Sequence, residues 1–187
     1  MNKRTNRAGV DKGETIIESS PNRSSSNRNL FSFEPIVDKS SKVLILGTLP
    51  GPESLRLGQY YAYTNNQFWV ILYNVFEETV AAAAYSKKLS FLHKHEIALW
   101  DVFYSAERQG ALDAAIKNEV PNDIPGLITA YPNITRILLN GRKAEKTFRI
   151  YCPNININAV YVPSTSPAYA KMSLEDKVRT WRAALTA

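Results

Sequence analysis

The sequence predicts an α/β domain with a mainly parallel sheet. Two observations carry that prediction. First, four short apolar runs are spread along the chain: "KVLILGT" (42–48), "EIALWDVF" (96–103), "ITRILLNG" (134–141) and "NAVYVPSTSPA" (158–168). A run that is apolar at consecutive positions suits a strand covered on both faces, as parallel strands are. Second, the segments between the runs have apolar residues at helical spacing.

The N-terminal stretch stands apart from the rest. Residues 1–30 are rich in Asn, Ser and Arg and almost without aliphatic periodicity. Such a stretch buries too little apolar surface to offset its ordering entropy, so a disordered tail is expected there. It holds six basic and three acidic residues, half of the chain's net charge of +6. The globular part is expected to start near "FSFEPIVD" (31–38) and to form one domain over 31–187. Helices are expected in "NQFWVILYNVFEE" (66–78) and "VAAAAYSKKLSFLHKH" (80–95), where apolar residues recur at helical spacing. "NDIPGLITAYP" (122–132) opens with cap residues, "RKAEKTFRIY" (142–151) comes after the third strand, and Ser173 is an N-cap for "SLEDKVRTWRAAL" (173–185).

Composition narrows the function classes. The 23 Lys+Arg against 17 Asp+Glu are compatible with a polyanionic partner without establishing one. The single Cys152 excludes an internal disulfide framework and a multi-thiolate metal site. No apolar run approaches the roughly 20 residues that span a membrane. No basic segment followed by an apolar one opens the chain, so a cytoplasmic location is expected.

In open α/β sheets, ligands bind beyond the carboxyl ends of the strands. Those ends read "GTLPGPES", "WDVFYS", "LNGRKA" and "PSTSPAYA". Loops of Gly, Pro, Ser, Thr and Asn present backbone N–H groups and small hydroxyls, which suit phosphate contacts. His93 and His95 fall at the amino end of the second strand, away from that site, and give no metal-ligand pattern with one cysteine. "GTLPG" lacks the Lys-Ser/Thr of a phosphate loop. Downstream of it stands "YYAYTNNQFW" (60–69), tyrosines and amides that suit a flat heterocycle: a ring to stack on it and an amide to read its edge. Phe68 and Trp69 also read as the buried face of a helix, and Asn65 and Asn66 as its cap.

Taken in order, "GTLPG", "SLRLGQYYAYTNNQFW", "ALWDVF", "GALDAAI", "PNDIPGL", "ILLNGRKA" and "VPSTSPAYA" resemble the uracil-DNA glycosylase superfamily, most closely its hypoxanthine-DNA glycosylase branch. The resemblance covers Phe31 to Leu185. It implies a three-layer α/β/α sandwich around a four-stranded sheet. It also implies cofactor-free hydrolysis of the N-glycosidic bond of a deaminated base in DNA; a monomer is expected.

The resemblance implies roles for particular residues. The turn after the first strand often supplies a water-positioning amide or carboxylate; here Leu49 stands at that place, and in the hypoxanthine branch the catalytic amide is the Asn of Asn-x-Phe-Trp, which is Asn66. Tyr63-Thr64 depart from the usual residues just upstream. Tyr61 matches the aromatic that stacks on the flipped base, with Gly47 and Thr48 beside it. Asn140 matches an amide that reads the base edge. Pro163, Ser164, Thr165, Ser166 and Pro167 match the loop that grips the DNA backbone. Asp101 and Asp113 are the nearest carboxylates, Asp101 either polarising water or capping a turn. Arg108, Arg142 and Lys143 come after strand ends and are candidates for phosphate contacts. Three other readings stay open: the same fold acting on uracil, a non-catalytic binder of single-stranded nucleic acid, and a hydrolase of free nucleosides.

Overall fold

The computed structural model describes residues 29–79 and 84–186. The tail expected over residues 1–30 lies outside the described residues except for Asn29 and Leu30, which open a strand. In chain order the first elements are β1 (Asn29–Phe31), β2 (Val43–Gly47), α1 (Pro52–Leu57), α2 (Phe68–Val75), α3 (Tyr85–Lys94) and β3 (Ile97–Asp101). Then come β4 (Phe103–Arg108), β5 (Ile116–Pro121), α4 (Ile124–Ala130), β6 (Arg136–Asn140), α5 (Arg142–Tyr151), β7 (Asn158–Val162) and α6 (Leu174–Thr186).

β2, β3, β6 and β7 make one wholly parallel four-stranded sheet in the order β3-β2-β6-β7. Its strands are apolar at consecutive positions because both faces are covered. On one face Leu44, Leu46, Ala98, Ile137 and Leu139 pack with Ile124 and Leu127 of α4 and Ala144 and Phe148 of α5. On the other, Ile45, Ile97, Leu99, Leu138 and Val162 pack with Phe68, Ile71 and Leu72 of α2, Phe91 and Leu92 of α3 and Trp181 of α6. The layers are therefore helix, sheet, helix, as expected. Truncating any of the large buried side chains to Ala costs about 2–5 kcal/mol.

Three local features differ from expectation. "EIALWDVF" is not one strand: the chain leaves the parallel sheet after Asp101, and Phe103 starts β4. The second is an additional sheet of order β1-β4-β5, in which β4 pairs antiparallel with both neighbours. β1 is distant from β4 in sequence, so no local pattern announces their pairing. The third is helix α1, which starts after Gly51 with Pro52 at its first position and stops at Gly58, in the left-handed region at φ 63°. Those are the ordinary start and stop residues of a short helix. Ser173 caps α6 as expected, accepting from the Asp176 N–H at 3.1 Å.

Register decides where the chemistry gathers. Gly47 pairs with Asp101, Leu46 with Leu139, and Asn140 with Val162. Gly47, Asp101 and Asn140 thus end their strands at one level. No helix among the described residues is long and apolar enough to cross a membrane.

Candidate active site

A cleft of about 550 Å³ opens at that level. Its size is typical of a small-ligand site. Gly47, Thr48, Tyr61, Asn66, Asn140 and Ser164 to Pro167 all line it, as do Asp101, Arg108 and Asp113. Pro163 sits behind it, buried, its carbonyl accepting from the Trp181 indole at 3.0 Å.

One wall is neutral and densely hydrogen-bonded. The loop after α1 is pinned by Ser54, whose hydroxyl accepts from the Ala62 N–H at 3.2 Å, and by the Trp69 indole, which donates to the Tyr60 carbonyl at 3.2 Å. This holds Tyr61 at φ 52°, a backbone conformation few side chains adopt. Its ring lies flat on Phe68, with centroids 3.8 Å apart and planes 10° apart. Its hydroxyl accepts from the Asn140 amide at 2.9 Å, and burial pushes its pKa up, so it stays protonated.

The Asn140 amide is also bound to Thr165: Nδ2 donates to Oγ1 at 3.1 Å and Oδ1 accepts from the backbone N–H at 3.1 Å. Both amide hydrogens of the expected base-reading residue thus hold Tyr61 and Thr165. Thr165 is only 1% exposed and turned inward, unlike a backbone-gripping side chain. Ser164 and Ser166 shape the loop, each hydroxyl accepting from the N–H two residues on, at 3.2 and 3.3 Å. The buried Lys177 ammonium binds Gln67 Oε1 at 2.7 Å and the Tyr169 carbonyl at 3.0 Å, joining this loop to the start of α2.

Asn66 lines the cleft, and its Oδ1 accepts from the Phe68 N–H at 3.0 Å, bracing the turn just before α2, whose N-cap is Gln67. Asn65 is exposed and donates to the Tyr63 hydroxyl at 3.2 Å.

A second set of lining groups is ionisable. Asp113 accepts from the Thr48 hydroxyl at 2.8 Å. Arg108 is buried and donates to the Pro50 carbonyl at 2.6 Å and the Gly110 carbonyl at 3.1 Å. Asp101 is 3% exposed and accepts from the Ser32 hydroxyl at 3.1 Å through Oδ2. Burial raises its pKa to about 7; the Ser32 bond opposes the rise, Asp113 adds to it and Arg108 opposes it. Burial also raises Asp113, against the Thr48 bond, Arg108 and Lys143. Gly47 is required here: a Cβ would stand 2.4 Å from Asp101 Oδ1 and 2.8 Å from the Tyr61 oxygen.

Other candidates lie elsewhere. His93 and His95 bind Asp38 and Glu78 at 2.5 and 2.6 Å, and His95 stacks on Phe76. Arg142 pairs with Glu145 and covers the Tyr161 ring. Lys143 pairs with Glu119 at 2.7 Å. Leu49, by contrast, does line the cleft, its side chain packed into the core beneath it. No group of three metal-ligating side chains occurs among the described residues. Sequence reasoning missed Ser32. It lies 69 positions from Asp101, and nothing in "FSFEPIVD" marks it.

Comparison with known proteins gives the site its context. The family model described as Uracil DNA glycosylase superfamily matches residues 34–185. A Methanosarcina acetivorans protein named hypoxanthine DNA glycosylase is 35% identical over 151 residues, 81% of this chain and 94% of its own. One of the same name from Methanosarcina barkeri is 38% identical over 112 residues, 60% of this chain and 71% of its own. The fold also resembles a solution NMR structure of a Methanosarcina acetivorans protein described as a candidate uracil DNA glycosylase. The TM-score is 0.75 at 34% identity, covering 84% of this chain and 97% of that one. The extent of these matches and the likeness of fold show that the chain belongs to the uracil DNA glycosylase superfamily.

Proposed function

We propose that the protein is a monofunctional DNA glycosylase that hydrolyses the N-glycosidic bond of deoxyinosine in DNA, releases hypoxanthine and so initiates base excision repair. Relatives named hypoxanthine DNA glycosylase support the substrate. The observation that carries the chemistry is the Tyr61 ring, backed by Phe68 on one face and lining the cleft. A planar base entering the cleft extends that stack.

The reactive bond lies inside a stacked duplex, so the nucleotide is flipped out first, at a cost of a few kcal/mol that is smallest at a mismatch. Stacking on Tyr61 returns about 1–3 kcal/mol. Asn140 acts chiefly by fixing the Tyr61 hydroxyl; Oδ1 keeps a second lone pair that suits a base N–H. Phosphates meet the Gly47 turn and the Ser164 and Ser166 hydroxyls, whose oxygens accept within the loop and whose hydrogens can still be donated. Cleavage builds positive charge on the sugar and negative charge on the base. An amide is a poor base, so Asn66 orients water and relies on a dissociative transition state. No lysine is among the described residues that line the cleft, which supports water as the nucleophile over an amine.

The test is a single-turnover assay on matched duplexes carrying inosine, uracil or only ordinary bases, with alkaline cleavage of the products. The expected result is an abasic product from the inosine duplex and no adduct trapped by borohydride. Equal affinity for undamaged DNA with no abasic product overturns the reading.

A further inference from the structure

The proposed hydrolysis leaves the buried Asp101 carboxyl unused. It ends β3 inside the cleft, level with Gly47 and beside Tyr61. Its two oxygens have different surroundings. Oδ2 accepts from Ser32 on the far side. Oδ1 lies against the Gly47 backbone, where the Tyr61 hydroxyl also approaches: a single Cβ at position 47 would touch both oxygens.

The charged groups around it do not suit an anion. Tyr60 and Tyr61, from the loop before α2, are neutral phenols whose pKa values burial and Asp101 both raise. Asp113, from the segment between β4 and β5, is a second buried carboxyl in the same cleft. The guanidinium facing them, Arg108 on β4, is held by two backbone carbonyls. Ser32, beyond β1, offers a single hydroxyl. A base leaving with its bonding electrons would add further negative charge.

We propose that Asp101 works as a neutral acid that donates from Oδ1 to the exocyclic oxygen of the flipped base, stabilising the charge that develops there. This rests on the glycosylase reading and names a group for its leaving-group side. The sugar–base bond breaks with its electron pair going to the base. Water adds its oxygen to the sugar carbon, and one water proton ends on the released base. Asp101 lends a hydrogen bond and is neutral again at the end.

The assignment also explains selectivity. Deamination puts a carbonyl oxygen where the parent base carries an amino group. A donor at Oδ1 matches the oxygen and opposes the amine, leaving a buried polar pair unmatched, which is the strong form of discrimination. The Ser32 hydroxyl selects Oδ2 as the acceptor oxygen, so the proton resides on Oδ1. Ser32 is thus a positioning residue. A neutral acid placed to donate at about physiological pH has a precedent in buried active-site aspartates, and the raised pKa of Asp101 fits it.

The experiment measures single-turnover cleavage of an inosine duplex from about pH 6 to about pH 9, for wild type, Asp101→Asn, Asp101→Ala and Ser32→Ala, each checked for folding by thermal unfolding. Wild-type rate is expected to fall about tenfold per pH unit on the alkaline side of the Asp101 titration. Asp101→Asn keeps a donor at every pH and flattens that limb. Asp101→Ala loses at least about a hundredfold at the acid end. Ser32→Ala moves the limb to higher pH, because the hydroxyl that favours the ionised form is gone. A wild-type rate that rises with pH, with Asp101→Asn inactive throughout, makes Asp101 a base and overturns the proposal. So does Asp101→Ala cutting within a few-fold of wild type. Absence of abasic product from wild type at every pH instead overturns the glycosylase reading itself.

Discussion

The two walls of the cleft are built by opposite means. The Tyr61–Asn140–Thr165 wall has no charge, and its polar atoms bond to one another. The Asp101–Asp113–Arg108 wall holds three buried ionisable groups with a few neutral partners. A satisfied neutral network resists rearrangement, so the first wall positions. Buried carboxyls shift their proton equilibria, so the second wall responds to charge and pH. A reaction that separates charge needs both.

The contrast can be broken from either side. The largest expected effect is on stability at the charged wall. Asp101 has a raised pKa in the fold, so its contribution to stability is fully present below the ordinary carboxylate pKa of 3.8 and is lost as pH rises through about 7. Ionising it in place costs on the order of 4 kcal/mol. Asp101→Asn is therefore expected to gain stability over wild type at about pH 8 and to gain almost nothing at about pH 4. Urea unfolding at the two pH values checks this, and an equal difference at both refutes it.

Next comes Asn66 on the neutral wall. Asn66→Ala is expected to slow single-turnover cleavage at least about a hundredfold and to cost about 1 kcal/mol of stability through the lost hydrogen bond to the Phe68 N–H. A rate within a few-fold of wild type removes Asn66 from the mechanism. Tyr61→Ala should weaken binding of lesion DNA by about 1–3 kcal/mol, while Tyr61→Phe keeps the stack and loses about 1 kcal/mol through the Asn140 bond. Equal effects of the two, by fluorescence anisotropy, would mean that the ring face is not what the base meets. The smallest effect is at the exposed Arg142–Glu145 pair: Arg142→Ala should change stability by less than about 1 kcal/mol.

Much of the scaffold is legible in the sequence. "RKAEKTFRIY" is α5 from its first residue to its last, and the four apolar runs supply the four strands of the parallel sheet. These are local signals, because double-sided burial and helical periodicity are written in consecutive residues. The antiparallel trio is not legible, since β1 and β4 meet across about 75 residues of chain with no shared motif. Helix α1 carries its own local signal, Pro52 at its start and Gly58 at its end, inside a stretch read for its glycines and aromatics.

By itself, the sequence determined the fold class, the strand ends as the place for the site, and the side chains Tyr61, Asn66 and Asn140 that gather there. Tertiary structure alone decided what those side chains do with their hydrogen bonds. It turned the Asn140 amide to Tyr61 and Thr165, bent Thr165 inward, tied Asn66 to the Phe68 N–H, and brought Ser32 to Asp101. The reason is physical. Residue type states how many donors and acceptors a side chain owns, but burial and long-range register settle which partners it finds and whether its charge survives.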